Sequence, residues 1–198
     1  MLTRLKQKFQ LKIARTAEKL WRAGLTPNMM SGLGVILALF SAVAYTWAKK
    51  SAWALFLAAA LLLLSGLCDA LDGAIARLYS QTTAFGGFID SVLDRYTDAI
   101  IYSSIVVSGL CEVHWGLTAL IGSLLVSYTR ARAEIEGIRM ETVGLMERPD
   151  RILIITIATF MTIYMENALN LGMILLAGLT NLTALQRIAY FYNQTRKD

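Results

Sequence analysis

Between Ala52 and Cys68 the chain carries no charged residue, and directly after this apolar run come four aspartates: Asp69, Asp72, Asp90 and Asp94. A run of this kind narrows the possible folds more than any other feature. Crossing a bilayer as a helix takes about 20 mostly apolar residues. Inside the hydrocarbon every backbone polar group must be satisfied by the chain itself. A charged side chain at the centre of such a helix costs about 2.5–3.5 kcal/mol on insertion scales. Four carboxylates at the edge of apolar segments therefore need compensation. On a helix, Asp69 and Asp72 are spaced i, i+3, and Asp90 and Asp94 are spaced i, i+4, so each pair projects from one face. Two such faces turned together form a cage of oxygen ligands suited to Mg²⁺ or Mn²⁺.

Composition points the same way. The 198 residues are 56% hydrophobic with a mean hydropathy of +0.53, above the apolar share of soluble domains. We expect an all-α integral membrane protein: six transmembrane helices preceded by an amphipathic interfacial helix. The expected spans are Asn28–Ala48, Ala52–Tyr79, Phe85–Gly109, Trp115–Glu136, Asp150–Met165 and Leu169–Tyr192. One domain covers 1–198, with the interfacial helix at 1–23 and the bundle at 28–192. Lys and Arg concentrate in the N-terminal segment, the second-to-third and fourth-to-fifth connections and the C-terminus, whereas Lys49 and Lys50 are the basic residues of the opposite loops. The positive-inside rule then puts both ends and the aspartates on the cytoplasmic side of a multi-pass protein of the cell membrane.

Seven of the 19 basic residues fall in the first 22 positions. Leu2, Leu5, Phe9 and Ile13 recur on one side of this segment and Trp21 sits near its end, which favours an interfacial helix over a solvated basic tail. No nucleic-acid reader motif accompanies these charges, so no nucleic-acid partner is expected. Cys68 and Cys111 give no disulfide framework, and His114 reads as a loop residue.

The pattern around the aspartates permits phosphate chemistry. Divalent cations can clamp a pyrophosphate as one P–O bond breaks. Gly73 offers bare backbone to a nucleotide, and Arg77 can fork onto phosphate oxygens. Gly86 and Gly87 would permit close helix approach, and a carboxylate not consumed by metal could act as general base. A plainer alternative is an acidic stripe, including Asp98, that lines a watery groove or pairs with Arg95 and Arg77.

The stretch Asp69-x2-Asp72-Gly73-x2-Ala76-Arg77-x8-Gly86-x3-Asp90-x3-Asp94 resembles the CDP-alcohol phosphotransferase signature at every fixed position, and the six-helix layout resembles that family over essentially the whole chain. The resemblance implies two divalent cations, Mg²⁺ or Mn²⁺, on Asp69, Asp72, Asp90 and Asp94, with Asp94 also the catalytic base. It implies that Gly73, Arg77 and Thr83 hold the CDP-lipid. Asn28, in the Thr26-Pro27-Asn28 stretch, is a further candidate on the cytidine side. It also suggests a homodimer.

Ser127–Glu134 and Glu147–Arg151 resemble the subgroup that uses inositol 1-phosphate, which includes phosphatidylinositol-phosphate synthases and their archaeal archaetidylinositol-phosphate counterparts. By that resemblance Arg130, Arg148 and Arg187 clamp the acceptor phosphate, a task that suits planar guanidinium groups. The alternative is that these arginines only enforce topology and bind anionic headgroups. The expected reaction transfers the phospholipid moiety of a CDP-linked dialkyl- or diacylglycerol, CDP-archaeol favoured, to inositol 1-phosphate. Glycerol 3-phosphate and then serine are the next acceptors. An ion-coupled transporter, with acids along its path, and a non-catalytic lipid-binding protein are the readings from other classes.

Overall fold

The computed structural model describes residues 2–196; side chains of 2–10 and of Lys50 are not described. Seven α-helices follow one another: α1 (Leu2–Arg22), α2 (Pro27–Trp47), α3 (Ala52–Leu78), α4 (Ala84–Val107), α5 (Val113–Ile135), α6 (Arg148–Thr162) and α7 (Ala168–Thr195), with a 3-10 turn at Ala48–Lys50. No strand occurs among the described residues. Among the described residues three helices, α2, α3 and α7, are long and apolar enough to cross a membrane by length and composition. The helices α4 and α5 have 24 and 23 residues, but α4 carries Asp90, Asp94, Arg95 and Asp98, and α5 carries Arg130, Arg132 and Glu134. With 15 residues, α6 is roughly 22 Å long, short of the ~30 Å hydrocarbon thickness.

Local chemistry sets the helix ends. Thr26 Oγ1 accepts from Met29 N at 3.3 Å and Pro27 takes the first turn, which starts α2. Thr83 Oγ1 accepts from Gly86 N at 2.9 Å and starts α4. Glu147 N donates to Asp150 Oδ2 at 2.9 Å, so α6 begins at Arg148 instead of the expected Asp150. At the end of α1, Gly24 adopts φ +86°, a turn that glycine makes without steric cost.

Small and hydroxylated residues bring the helices together. Between α2 and α3, Ser41 Oγ donates to Ala58 O and Ser65 Oγ donates to Gly34 O, both at 2.8 Å. A Cβ on Gly122 would run into Thr180 of α7, so α5 and α7 approach at bare backbone. Buried Tyr45 and Thr159 share a hydroxyl hydrogen bond of 2.7 Å that ties α2 to α6. The main core gathers Tyr45, Leu62, Tyr102, Ile105, Ile155 and Leu176. Phe40, Trp47, Trp53, Leu57, Ile121 and Leu175 point outward, as expected of helices facing lipid.

A second cluster lies where α1 folds onto the end of α3. Ala17 is fully buried there, with Ile13, Leu20 and Trp21 against Leu71, Ala74 and Ile75. Trp21 stacks on Tyr79 at 4.6 Å, a contact with the end of α3 that the sequence did not suggest. The apolar positions Leu2, Leu5 and Phe9 lie outside the described side chains.

Candidate active site

At about 1.5 Å per residue, α3 is roughly 40 Å long, and its aspartates fall in its last third, past the charge-free stretch. Helical spacing turns Asp69 and Asp72 to one face, and α4, packed on α2 and α5, presents Asp90 to them across the site. Asp69, Asp72 and Asp90 each offer a carboxylate oxygen, and these oxygens lie within 4.8 Å of one another. Three hard anionic donors this close suit Mg²⁺ or Mn²⁺ and repel one another without a cation. Asp72 is buried, and Ser31 Oγ of α2 donates to its Oδ2 at 2.6 Å.

Asp94 stands outside this group of three. It reaches the cluster through Arg148, whose Nη1 lies 2.8 Å from Asp69 Oδ1 and 2.8 Å from Asp94 Oδ1. The angles at Nη1 fall outside hydrogen-bond geometry, so this contact is one of charge. Arg148 Nε donates to Asp98 Oδ1 at 3.3 Å and Nη2 to Thr97 Oγ1 at 2.9 Å. Behind it, Arg151 Nη2 donates to Asp98 Oδ2 at 2.9 Å, and Ser123 Oγ donates to the same oxygen at 3.0 Å.

Two clefts flank the cluster. One, of about 250 Å³, is lined by Asn28, Gly73, Arg77 and Thr83 together with Asp72 and Asp90. All four residues expected on the CDP-lipid side thus share one hollow. A Cβ on Gly73 would lie 3.1 Å from Arg77 Nη1, so the bare position leaves room for that guanidinium as well as for a ligand. The expectation of close helix approach at Gly86 and Gly87 does not hold. A Cβ on Gly87 would meet nothing within 4 Å, and one on Gly86 would meet only the Thr83 cap.

The other cleft, of about 340 Å³, is lined by Arg130, Arg148 and Arg187, with Asp94, Glu134 and Arg151. Its arginines are partly engaged by the protein. Arg130 Nε donates to Glu134 Oε1 at 2.8 Å. Arg187, 3% exposed, donates from Nε to Val143 O at 2.9 Å and from Nη1 to Val126 O, which ties α7 to the 136–147 connection and to α5.

Sequence reasoning did not single out Ser31, Thr97, Ser123 or Arg151, and it set Asp98 against Arg95 and Arg77. In the structure Asp98 meets Arg148 and Arg151, while Arg95 Nη1 donates to Ser91 O. The available signal was periodicity: Asp98 is one turn beyond Asp94, and Arg151 nearly one turn beyond Arg148.

This arrangement has close relatives. The archaetidylinositol phosphate synthase of Pyrococcus horikoshii is 36% identical over 190 residues, covering 95% of each chain. Crystal structures of the phosphatidylinositol phosphate synthase of Mycobacterium tuberculosis superpose at 30% identity. The form with CDP-DAG bound gives a TM-score of 0.77 and covers 91% of this chain and 93% of that one. The complex with manganese and citrate gives 0.75, covering 91% and 88%. The family profile for CDP-alcohol phosphatidyltransferases matches residues 24–185. By the extent of that match, and by the acid cluster it encloses, the chain belongs to the CDP-alcohol phosphatidyltransferase family.

Proposed function

We propose that this protein transfers the phospholipid moiety of a CDP-linked lipid to inositol 1-phosphate, releasing CMP. With CDP-archaeol, the favoured donor, the product is archaetidylinositol phosphate; with CDP-diacylglycerol it is phosphatidylinositol phosphate. One observation carries the reading. A small hollow holding the acid cluster together with Asp94 and Arg148 sits between two clefts, sharing Asp72 and Asp90 with the first and Asp94 and Arg148 with the second. A donor and an acceptor occupying the two hollows would meet at the aspartates. The names of the relatives supply the substrate classes: inositol phosphate synthases by sequence, and a CDP-DAG complex by structure.

In this reading Asn28, Gly73, Arg77 and Thr83 hold the CDP moiety, with Arg77 forking onto phosphate oxygens. Two divalent cations, Mg²⁺ or Mn²⁺, on Asp69, Asp72, Asp90 and Asp94 would neutralise charge on the pyrophosphate. Asp94 accepts the proton of an acceptor hydroxyl. That oxygen forms a bond to the lipid-side phosphorus as the bridging P–O bond breaks, and CMP departs with the electron pair. Arg130, Arg148 and Arg187 hold the acceptor's phosphate. Positioning and charge neutralisation dominate such transfers.

The surrounding architecture belongs to the same proposal: one domain over 1–198, six spans and a homodimer in the cell membrane, with the site facing the cytoplasm. The unequal lengths of α2 to α7 require the short α6 to be covered by its neighbours. Glycerol 3-phosphate is the second acceptor reading, because any phosphorylated polyol satisfies an arginine-lined cleft. The test is CMP release from purified protein with CDP-lipid, Mn²⁺ and each of inositol 1-phosphate, glycerol 3-phosphate, serine and free inositol. Release with inositol 1-phosphate alone is expected. Release with glycerol 3-phosphate alone moves the protein to the second reading.

A further inference from the structure

We infer that Asp98, backed by Arg151, is a positioning residue: it sets the Arg148 guanidinium between the acid cluster and the arginine-lined cleft without touching substrate. The inference rests on the function proposed above for what Arg148 meets, and on geometry for the rest. The helix α6 packs on α3 and α7, and among the described residues Arg148 and Arg151 join it to α4 by hydrogen bonds. They do so as two rungs of a ladder, Asp94 and Asp98 on one side and Arg148 and Arg151 on the other.

A guanidinium is planar, so two fixed corners fix the third. Asp98 holds Nε and Thr97 holds Nη2, which leaves Nη1 directed at Asp69 and Asp94. Both Asp98 oxygens are taken, one by Arg148 and the other by Arg151 and Ser123. The Arg148 cation bridges Asp98 to the carboxylates of Asp69 and Asp94, so Asp98 serves that guanidinium and not a metal ion. The side chains of Asp98 and Arg151 are 11% and 3% exposed. A buried ion pair is weak support for stability, because desolvation offsets most of the attraction. Its worth here lies in where it holds Arg148. Arg151 Nε finds no hydrogen-bond partner among the described residues, so the Asp98 contact is its principal tie.

The experiment uses the full chain in detergent and two readouts. Kinetically, Asp98→Asn should raise KM for inositol 1-phosphate roughly tenfold, the scale of one charge-assisted contact, and leave KM for CDP-lipid within about twofold. In an Arg148→Ala background the same change should cost less than about twofold, because a residue acting through another has nothing left to act on. Independent, multiplying effects, or equal rises in both KM values, would overturn the inference. Structurally, a crystal structure of Asp98→Asn should place Arg148 Nη1 away from Asp69 or Asp94; an unmoved guanidinium sinks the idea. This second readout needs no turnover. A wild-type protein that releases no CMP with inositol 1-phosphate ends the functional reading, while the position of Arg148 still decides the inference. Should Asp98→Asn fail to fold, Arg151→Lys keeps the charge and loses the fork. It is expected to give a smaller rise in acceptor KM, and no rise counts against the ladder.

Discussion

The two clefts are built differently. The hollow lined by Gly73, Arg77 and Thr83 draws its walls from α2, the end of α3 and the start of α4. Among the described residues, its Arg77 forms no ion pair with a carboxylate. The hollow lined by Arg130, Arg148 and Arg187 draws on α4, α5, α6 and α7, and its cations are already held by Glu134, Asp98 and backbone carbonyls. One side is assembled from three helices successive in the chain around an unpaired cation; the other joins four helices through buried charge. The first leaves its cation available to a ligand, whereas the second fixes cations in place before one arrives. Such prepositioning lowers the ordering cost of binding a small polyanion.

The largest expected effect tests what the clefts share. Chelating divalent cations should abolish CMP release, and added Mn²⁺ or Mg²⁺ should restore it. Asp94→Asn should lower kcat by about 10²–10⁴-fold, the range for loss of a general base, with both KM values nearly kept. Residual turnover close to wild type would remove Asp94 from that role and leave it as a counter-charge to Arg148.

This contrast also explains what could be read from the sequence. The i, i+3 spacing of Asp69 and Asp72 becomes geometry through the helical period, and of the four aspartates expected to converge, Asp69, Asp72 and Asp90 bring carboxylate oxygens within 4.8 Å of one another. The boundaries came within a few residues for the same reason. What spacing does not carry is which cation meets which carboxylate. Asp98 has Arg95 as its chain neighbour, yet its partners are Arg148 and Arg151, some fifty residues on. Ser31 reaches Asp72 from a preceding helix, over a separation of 41 residues. Glycine misled for a related reason: at Gly87 the bare position faces open space, where a helix neighbour was expected.

A crossed pair of substitutions separates the clefts. Arg148→Ala should raise KM for inositol 1-phosphate by roughly 10–100-fold, the worth of a hydrogen-bonded charge, and change KM for CDP-lipid far less. Arg77→Ala should do the reverse, by roughly tenfold on the same grounds. Equal effects of either variant on both substrates would merge the clefts into one site and end the division of labour. Because Arg148 also balances Asp69 and Asp94, its removal should tighten Mn²⁺ binding, read by titration without acceptor.

The smallest effect is the most selective. Gly87 lines the first cleft inside α4, and a Cβ added there touches no atom of the described residues within 4 Å. In a helix interior, alanine is favoured over glycine by about 0.8–1 kcal/mol. Gly87→Ala should therefore raise the melting temperature slightly and leave KM for the acceptor alone. Any rise in KM for CDP-lipid then reports contact between the new methyl and the ligand, because the protein itself offers nothing to collide with. A few-fold rise is expected from the donor hollow as drawn. An unchanged value would move the nucleotide off the first turns of α4 and toward Asn28 and Arg77.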